Sequence, residues 1–224
     1  MVKTRVVGVI VSGRDLDLAL RTRRQPDLFE LRLDCLVRVV DELESKLSKL
    51  RAPLIITARH PEEGGANQLN LRQRRELLSR FLPRASYIDI ELRSAAALRS
   101  LIKLARQKDV RRIISFHDLK ETPDLGGLQL KARRAKSLGA DIFKVATRID
   151  TPVQLARLLD FITKKDLDLA VSAMGIGKLG AISRVLLAHR GSALVYGSVA
   201  PASDIEGQIS LEQLREFGIG SQKR

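Results

Sequence analysis

Residues 112–147, RIISFHDLKETPDLGGLQLKARRAKSLGADIFKVAT, decide the fold because they have the pattern of a strand, a helix and a second strand. The apolar, β-branched runs at 112–117 and 142–147 have the length of buried strands, and 127–138 has the amphipathic pattern of a helix. Ser137-Leu138-Gly139 places a glycine just past that helix, where helices commonly end. The segment therefore predicts two parallel strands joined by a helix.

The same alternation extends along the whole chain. Eight strands are predicted at 6–11, 28–34, 54–59, 87–92, 112–117, 142–147, 167–173 and 194–199, with helical stretches at 37–50, 71–82, 95–107, 127–138, 152–163 and 179–189. Most of these strands are continuously apolar, which is typical of parallel strands covered on both faces. Eight such units in 224 residues predict an α/β fold, a (β/α)8 TIM barrel, as a single domain over residues 1–224.

Two glycine patterns bear on the alternatives to a barrel. The first strand leads into Ser12-Gly13-Arg14 and lacks the Gly-x-Gly-x-x-Gly turn of a dinucleotide-binding sheet. The segment 175–180, GIGKLG, lacks the spacing of a nucleotide-binding P-loop, and we interpret it as a loop after the seventh strand that could contact an anion.

The composition is basic, with a formal net charge of +14, but the lysines and arginines are spread through the helices. Aromatic residues make up 4% of the chain and tryptophan is absent, so the stacking platforms of single-strand binders are not evident and we expect no nucleic-acid partner. No apolar stretch approaches the roughly 20 residues of a membrane span, and the N-terminus does not resemble a signal peptide. We therefore expect a cytoplasmic protein without a membrane partner.

The single cysteine, Cys35, excludes an internal disulfide and a cysteine-cluster metal site. It adjoins an apolar strand, where a buried thiol is ordinary. A catalytic thiol is the less favoured interpretation.

Lys144 and His117 are the strongest candidates for chemistry. Lys144 lies inside the apolar run Ile142-Phe-Lys-Val-Ala-Thr147, and His117 ends the run Ile113-Ile-Ser-Phe-His117. A lysine amine in such a run is a candidate nucleophile for carbonyl groups, and a histidine at a strand end is a natural proton shuttle. Together they indicate imine chemistry, against the alternative that Lys144 is a strand lysine whose amine reaches past its neighbours to solvent.

Further charged residues follow or end the other predicted strands, where a barrel collects its reacting groups. Glu30, Arg32 and Asp34 alternate along the second strand, and the loop after the third strand brings Glu62 or Glu63 over the barrel. For Asp34 and Asp89 we favour internal ion pairs. The remaining charged residues in this set are Glu91, Arg59 and Arg184.

Three arginines converging with a lysine exceed what the nearby carboxylates need, so the surplus positive charge suggests an anionic substrate. A planar guanidinium matches a carboxylate at least as well as a phosphate ester. From the residues alone, the prediction is Schiff-base chemistry on an acidic carbonyl compound.

Six motifs resemble one known family. They are ELRLD at 30–34, TAR at 57–59 with EGG at 63–65, SFHD at 115–118, FKVA at 143–146, ISR at 182–184 and GQIS at 207–210. Their order and approximate spacing are similar to those of type I 3-dehydroquinate dehydratases over nearly the whole chain. The resemblance implies dehydration of 3-dehydroquinate to 3-dehydroshikimate in the shikimate pathway, without a metal or a cofactor.

The resemblance also implies roles. Lys144 matches the imine-forming lysine, His117 the general acid and base, and Glu63 the carboxylate that orients the histidine. Arg184 and Gln208 match residues that hold the substrate carboxylate.

The other implied binding residues surround the reacting groups. Glu30, Arg32 and Arg59 match residues that contact ring hydroxyls and order the pocket. Ser12 is a candidate hydroxyl contact. In the last loop Ser203 lies five residues before Gln208, whereas relatives commonly place a serine four residues before, so either Ser203 or Asp204 could face the substrate.

Two other functions stay open at this point. A lysine-dependent aldolase on the same barrel would also use an imine and a base. A noncatalytic anion- or nucleic-acid-binding protein would explain the charge but leaves Lys144 and His117 without a role. The resemblance further implies a homodimer, which an exposed apolar helix face could support.

Overall fold

The structure, a computed structural model, describes residues 4–164, 168–201 and 206–220. Its strands are β1 Arg5–Ile10, β2 Leu28–Arg32, β3 Leu54–Thr57, β4 Tyr87–Glu91, β5 Arg111–Asp118, β6 Ile142–Arg148, β7 Ala170–Ile176 and β8 Leu194–Ser198. The α-helices are α1 Gly13–Arg21, α2 Val40–Lys46, α3 Leu71–Phe81, α4 Arg99–Gln107, α5 Leu125–Ser137, α6 Pro152–Thr163, α7 Gly180–His189 and α8 Leu211–Glu216.

All the strands are parallel and follow one another around a barrel. The sheet order is β7-β6-β5-β4-β3-β2-β1-β8, so β1 pairs with both β2 and β8. At the remaining seam, the Ala193 N–H donates to the Val171 carbonyl at 2.7 Å and the Ser172 hydroxyl donates to the Leu194 carbonyl at 3.0 Å. These bonds bring β8 against β7 and confirm the predicted (β/α)8 barrel.

The strands divide the apolar core into two layers because their side chains alternate between two faces. Val7, Leu28, Ile55 and Ile113 pack inside the barrel, in its amino-terminal half. A larger cluster packs between the strands and the surrounding helices, and Leu31 belongs to it. The charged side chains of the interior lie above the inner apolar layer, toward the carboxyl ends of the strands.

Both ends of β7 differ from the prediction. The predicted strand at 167–173 is shifted toward the C-terminus, and Gly175 and Ile176 belong to the strand rather than to a loop. The strand continues because its main chain stays paired with β6, Gly175 with Thr147 and Ile176 with Arg148, and α7 packs directly on it. The Gly175 N–H donates to the Ser183 hydroxyl at 2.9 Å, and a Cβ at Gly175 would lie 2.6 Å from that oxygen.

Other elements also begin or end at residues different from those predicted. β2 ends at Arg32, whose carbonyl accepts the N–H groups of Cys35 and Leu36 as the chain turns away. β3 ends at Thr57, and α4 begins at Arg99 after a run of turns. Within the described ranges, none of the helices is long and apolar enough to span a membrane.

Candidate active site

Lys144 lies in the middle of β6 with 3% of its surface exposed, and its amine is surrounded by charge. The Nζ atom is 2.9 Å from Asp89 Oδ2 and 3.2 Å from Glu30 Oε1. The ring of Tyr196 packs against the same atom, with 4.1 Å between Nζ and the ring centroid. The amine is therefore held inside the barrel by two carboxylates and an aromatic face, and is not isolated among apolar residues as its sequence run suggested.

Arg59 connects this cluster to the neighbouring strands. Its guanidinium is buried and donates to Asp89 at 2.8 and 3.2 Å, to Glu91 at 3.2 Å and to the Ser115 hydroxyl at 2.7 Å. Burial alone would raise the pKa of Asp89, but the charges of Arg59 and Lys144 outweigh it and hold that pKa below its usual range. Asp89 is therefore a permanent anion beside the lysine amine.

His117 lies near the carboxyl end of β5, above Lys144. In the register of the two strands Ser115 pairs with Lys144 and His117 pairs with Ala146, so His117 lies one pleat nearer the barrel opening on the same inner face. Its Nδ1 atom is 2.9 Å from Glu63 Oε2, and its main-chain N–H donates to the same oxygen at 3.0 Å. One carboxylate oxygen thus fixes both the strand end and the imidazole ring.

A short loop after β3 brings Glu63 to this position. Pro61–Glu63 forms a 3₁₀ turn that ends at Gly64, whose φ of 84° is a conformation that glycine adopts without strain. The next residue, Gly65, lies so close to the main chain that a Cβ atom would be 2.2 Å from the Arg59 carbonyl oxygen. The two glycines explain why Glu63 turns back over the barrel.

The pair of Glu63 and His117 has unusual protonation properties. Burial raises the pKa of Glu63 to about 7, although Arg59 acts in the opposite direction. Burial, together with the charges of Arg59 and Lys144, lowers the pKa of His117 well below its usual value. The imidazole is therefore neutral near pH 7 and available to accept a proton.

Arg32 and Asp34 form a second ion pair beside the site. The Arg32 Nε and Nη2 atoms lie 3.0 and 2.8 Å from the two Asp34 oxygens, and Nη2 also donates to the Gly64 carbonyl at 3.0 Å. Asp34 accepts the N–H groups of Arg59 and Ala66 as well. The expectation that Asp34 and Asp89 take part in internal ion pairs is confirmed, although Asp89 also contacts Lys144.

Arg184, on α7, has no carboxylate partner in the described parts of the chain. Its Nε donates to the Gly207 carbonyl at 3.0 Å and its Nη1 to the Tyr196 carbonyl at 3.3 Å. Because burial is not offset by an anion, it lowers the pKa of Arg184 to about 10. A buried cation of this kind is suited to an incoming anion.

Gln208 directly follows Gly207, whose carbonyl oxygen accepts the hydrogen bond from Arg184. Gly207 packs so tightly on the start of α7 that a Cβ atom there would be 2.7 Å from Gly180 Cα. This packing fixes the segment that carries Gln208 against the helix that carries Arg184.

Two predicted substrate contacts, Ser12 and the residue of the last loop, are not among the contacts described above. The Ser12 hydroxyl caps α1: it accepts the Asp15 N–H at 3.1 Å and donates to the Asp15 carboxylate at 2.9 Å. Its hydrogen bonds therefore serve the helix end. Ser203 and Asp204 both lie outside the described residues.

Cys35 lies beside the site without the character of a reactive thiol. Burial raises its pKa to about 11, and Asp34 acts in the same direction. A protonated thiol is a weak nucleophile.

Two residues of the site were missed from the sequence. Tyr196 gave no signal because it lies in a uniformly apolar strand. Arg74 is 2% exposed and joins the site from α3: it is ion-paired with Glu91 and donates to the Ala58 carbonyl at 2.8 Å. Its burial could not be read from a helix that carries arginines at 72, 74 and 75.

The fold and the site together define the class of protein to which this chain belongs. The protein is a (β/α)8 barrel whose interior holds a lysine between carboxylates and a histidine–glutamate pair, with a buried arginine on α7 that has no carboxylate partner among the described residues. The model of the type I 3-dehydroquinase family matches residues 10–218, and the chain belongs to this family.

Named relatives agree with this assignment. The chain is 30% identical over 212 residues to the 3-dehydroquinate dehydratase of Thermodesulfovibrio yellowstonii, which covers 93% of this chain and 92% of the relative. It is 31% identical over 216 residues to the catabolic 3-dehydroquinate dehydratase of Acinetobacter baylyi, covering 93% and 77%. The crystal structure of the type I enzyme from Clostridium difficile with covalently modified comenic acid superimposes with a TM-score of 0.85 at 25% identity, covering 97% and 91%.

Proposed function

We propose that this protein is a 3-dehydroquinate dehydratase, a hydro-lyase that forms 3-dehydroshikimate and water through an imine on Lys144. The observation that carries the proposal is the placement of Lys144 one pleat below His117, on the same inner face of adjacent strands. A ketone bound to the lysine would present its neighbouring carbon to the imidazole. Membership of the type I family supports the same reaction.

The steps conserve atoms and protons. The Lys144 amine, in its unprotonated form, adds to the ketone carbonyl. One proton is taken up from solvent as water leaves, which gives the iminium ion, and this proton is released again when the product is hydrolysed from the lysine. His117 takes a proton from the adjacent carbon, and the electron pair of that C–H bond enters the iminium to give an enamine. The enamine expels the hydroxyl group one carbon further on, which leaves as water with the proton from His117. A second water then hydrolyses the conjugated imine and frees Lys144.

Other residues prepare this reaction. Glu63 is a positioning residue that holds His117 through Nδ1 and leaves Nε2 for proton transfer. Arg59 holds Asp89 and acts on Lys144 through it. Glu30 accepts hydrogen bonds from both Lys144 and Thr57 and would contact a ring hydroxyl of the substrate.

The substrate carboxylate is assigned to Arg184 and Gln208. Arg184 offers a buried positive charge without a carboxylate partner in the described chain, and Gln208 follows the Gly207 carbonyl that Arg184 contacts. Arg32 lies beside the same site and would contact a ring hydroxyl. Ser12 and Ser203 stay predicted contacts.

The test combines turnover with trapping. Product formation is followed by the absorbance of the conjugated enone, and the complex is reduced with borohydride and mapped by mass spectrometry. We expect turnover and an adduct on the peptide that carries Lys144. Lys144→Arg keeps a cation between Glu30 and Asp89 but cannot form the imine, so it should lose both signals; Lys120→Ala, at an exposed lysine, should keep both.

A folded wild-type protein that gives neither product nor adduct would remove the dehydratase proposal. Adduct formation with other carbonyl compounds and cleavage of a carbon–carbon bond would then favour a lysine aldolase. The histidine–carboxylate pair and Arg184 support the dehydratase.

We also propose that the protein acts as a homodimer in the cytoplasm. The neighbouring helices α6 and α7 expose three apolar side chains, Val153, Ile182 and Leu186. Light scattering coupled to size exclusion should give a dimer, and Ile182→Glu should give a monomer. Leu130→Glu, at an exposed leucine on α5, is the control, and cell fractionation tests the location.

A further inference from the structure

A cavity of about 770 Å³ opens at the end of the barrel opposite the proposed active site. Its walls come from segments that precede strands: residues 23–27 lead into β2, and residues 51–53 lead into β3. Arg215 of α8, with Ile219 and Gly220 beyond that helix, lines the cavity from another side. Because these segments lie at the amino-terminal ends of strands, the cavity shares no residue with the cluster around Lys144.

Four arginines line this cavity: Arg23, Arg24, Arg51 and Arg215. In the described part of the chain, no carboxylate lies within ion-pair distance of any of them. The acidic residue among the lining residues is Asp27, whose Oδ2 accepts the Val6 N–H at 2.7 Å. The wall therefore carries a clear excess of positive charge.

Two of these arginines, Arg24 and Arg215, are held near each other despite their mutual repulsion. Arg215 Nη2 donates to the Arg24 carbonyl at 2.7 Å, which ties the helix α8 to the segment before β2. Burial lowers the pKa of Arg215, and the charge of Arg24 lowers it further, whereas Glu212 on the same helix acts in the opposite direction. An anion in the cavity would relieve this repulsion.

We propose that this cavity binds a small, multiply charged oxyanion carrying phosphate or carboxylate groups. The volume suits a small molecule, and guanidinium groups match both kinds of oxyanion with paired hydrogen bonds. The concave shape distinguishes the site from the general positive charge of the surface, because the arginines that line it come from three separate segments of the chain.

The test measures binding of two probes, inorganic pyrophosphate and citrate, by isothermal titration calorimetry at low salt. Arg24→Gln combined with Arg51→Gln removes two charges from the cavity, at exposed positions. Arg133→Gln combined with Arg134→Gln removes the same charge from the exposed face of α5 and is the matched control. Turnover of 3-dehydroquinate in both double variants shows that the barrel is intact.

We expect one-to-one binding of at least one probe, weakened about tenfold or more in the cavity variant and changed little in the control. The tighter probe identifies whether the ligand carries phosphate or carboxylate groups. Equal weakening in both double variants, or no binding of either probe to the wild-type protein, would overturn the proposal.

Discussion

Glu63 holds His117 through a single carboxylate oxygen, which lies 2.9 Å from the ring Nδ1 and 3.0 Å from the main-chain nitrogen of the same residue. The two contacts fix the imidazole relative to its own strand. Since Nδ1 is occupied, Nε2 is the ring nitrogen left for the proton transfer that we propose. This arrangement makes the ionisation of Glu63 important for the reaction.

The pH dependence of turnover should report that ionisation. Burial raises the pKa of Glu63 to about 7, so the carboxylate that orients His117 is present above this pH and lost below it. We expect kcat to rise as the pH increases from 6 to 8. Glu63→Gln should lower kcat about 100-fold and remove the inflection near pH 7. An unchanged inflection in this variant would assign the titration to another group.

The ring of Tyr196 packs on the Lys144 amine, and its hydroxyl has no hydrogen-bond partner among the described residues. Tyr196→Phe removes a buried, unsatisfied hydroxyl and should raise the free energy of unfolding by about 1 kcal/mol while keeping turnover. Tyr196→Leu also removes the face that packs on Lys144 and should slow borohydride-trappable imine formation. Denaturant unfolding and trapping rates separate these effects, and loss of turnover in the phenylalanine variant would show that the hydroxyl is needed.

Arg184 should act on substrate affinity more than on chemistry. Arg184→Met removes the buried charge assigned to the carboxylate and should raise KM about 100-fold, with a smaller change in kcat. Gln208→Ala should show the same pattern more weakly. The control is Arg190→Met, at the exposed residue directly after α7. A kcat that falls while KM stays constant would contradict the binding role.

Two arginines on α3 offer a matched comparison of buried and exposed ion pairs. The Arg74 side chain is 2% exposed and pairs with the buried Glu91, whereas the Arg72 side chain is 87% exposed and pairs with Glu76 one turn along. Arg74→Ala should lower the free energy of unfolding by about 3–5 kcal/mol, because it leaves Glu91 buried with less compensation. Arg72→Ala should cost about 0.5 kcal/mol or less. Similar losses in the two variants would show that solvent reaches Glu91.

Much of the fold could be predicted because its signals are local. Each strand is a short apolar run, and the polar residues Lys144 and His117 stand out within two of them. The end of β7 was wrong because the glycines at 175 and 177 resemble a loop in sequence. The strand continues there because Gly175 and Ile176 pair with β6, a long-range contact that the local sequence does not show.

The partners of the site residues could not be predicted. The sequence places Lys144 in an apolar run, but its contacts with Glu30, Asp89 and Tyr196 come from three other strands. Arg74 was hidden because burial depends on which face of α3 meets the barrel. Such long-range contacts depend on strand register and helix orientation, which local patterns do not specify.

The seam between β7 and β8 links the barrel's closure to its ligand. Arg184 lies on the helix that connects these two strands, and its guanidinium reaches the Tyr196 carbonyl in β8. A carboxylate bound to Arg184 would therefore strengthen the join between β7 and β8, at the place where few main-chain bonds hold these two strands together. Amide hydrogen exchange in β8 should slow when the site is occupied, because the bound substrate then stabilises the closure of the barrel that encloses it.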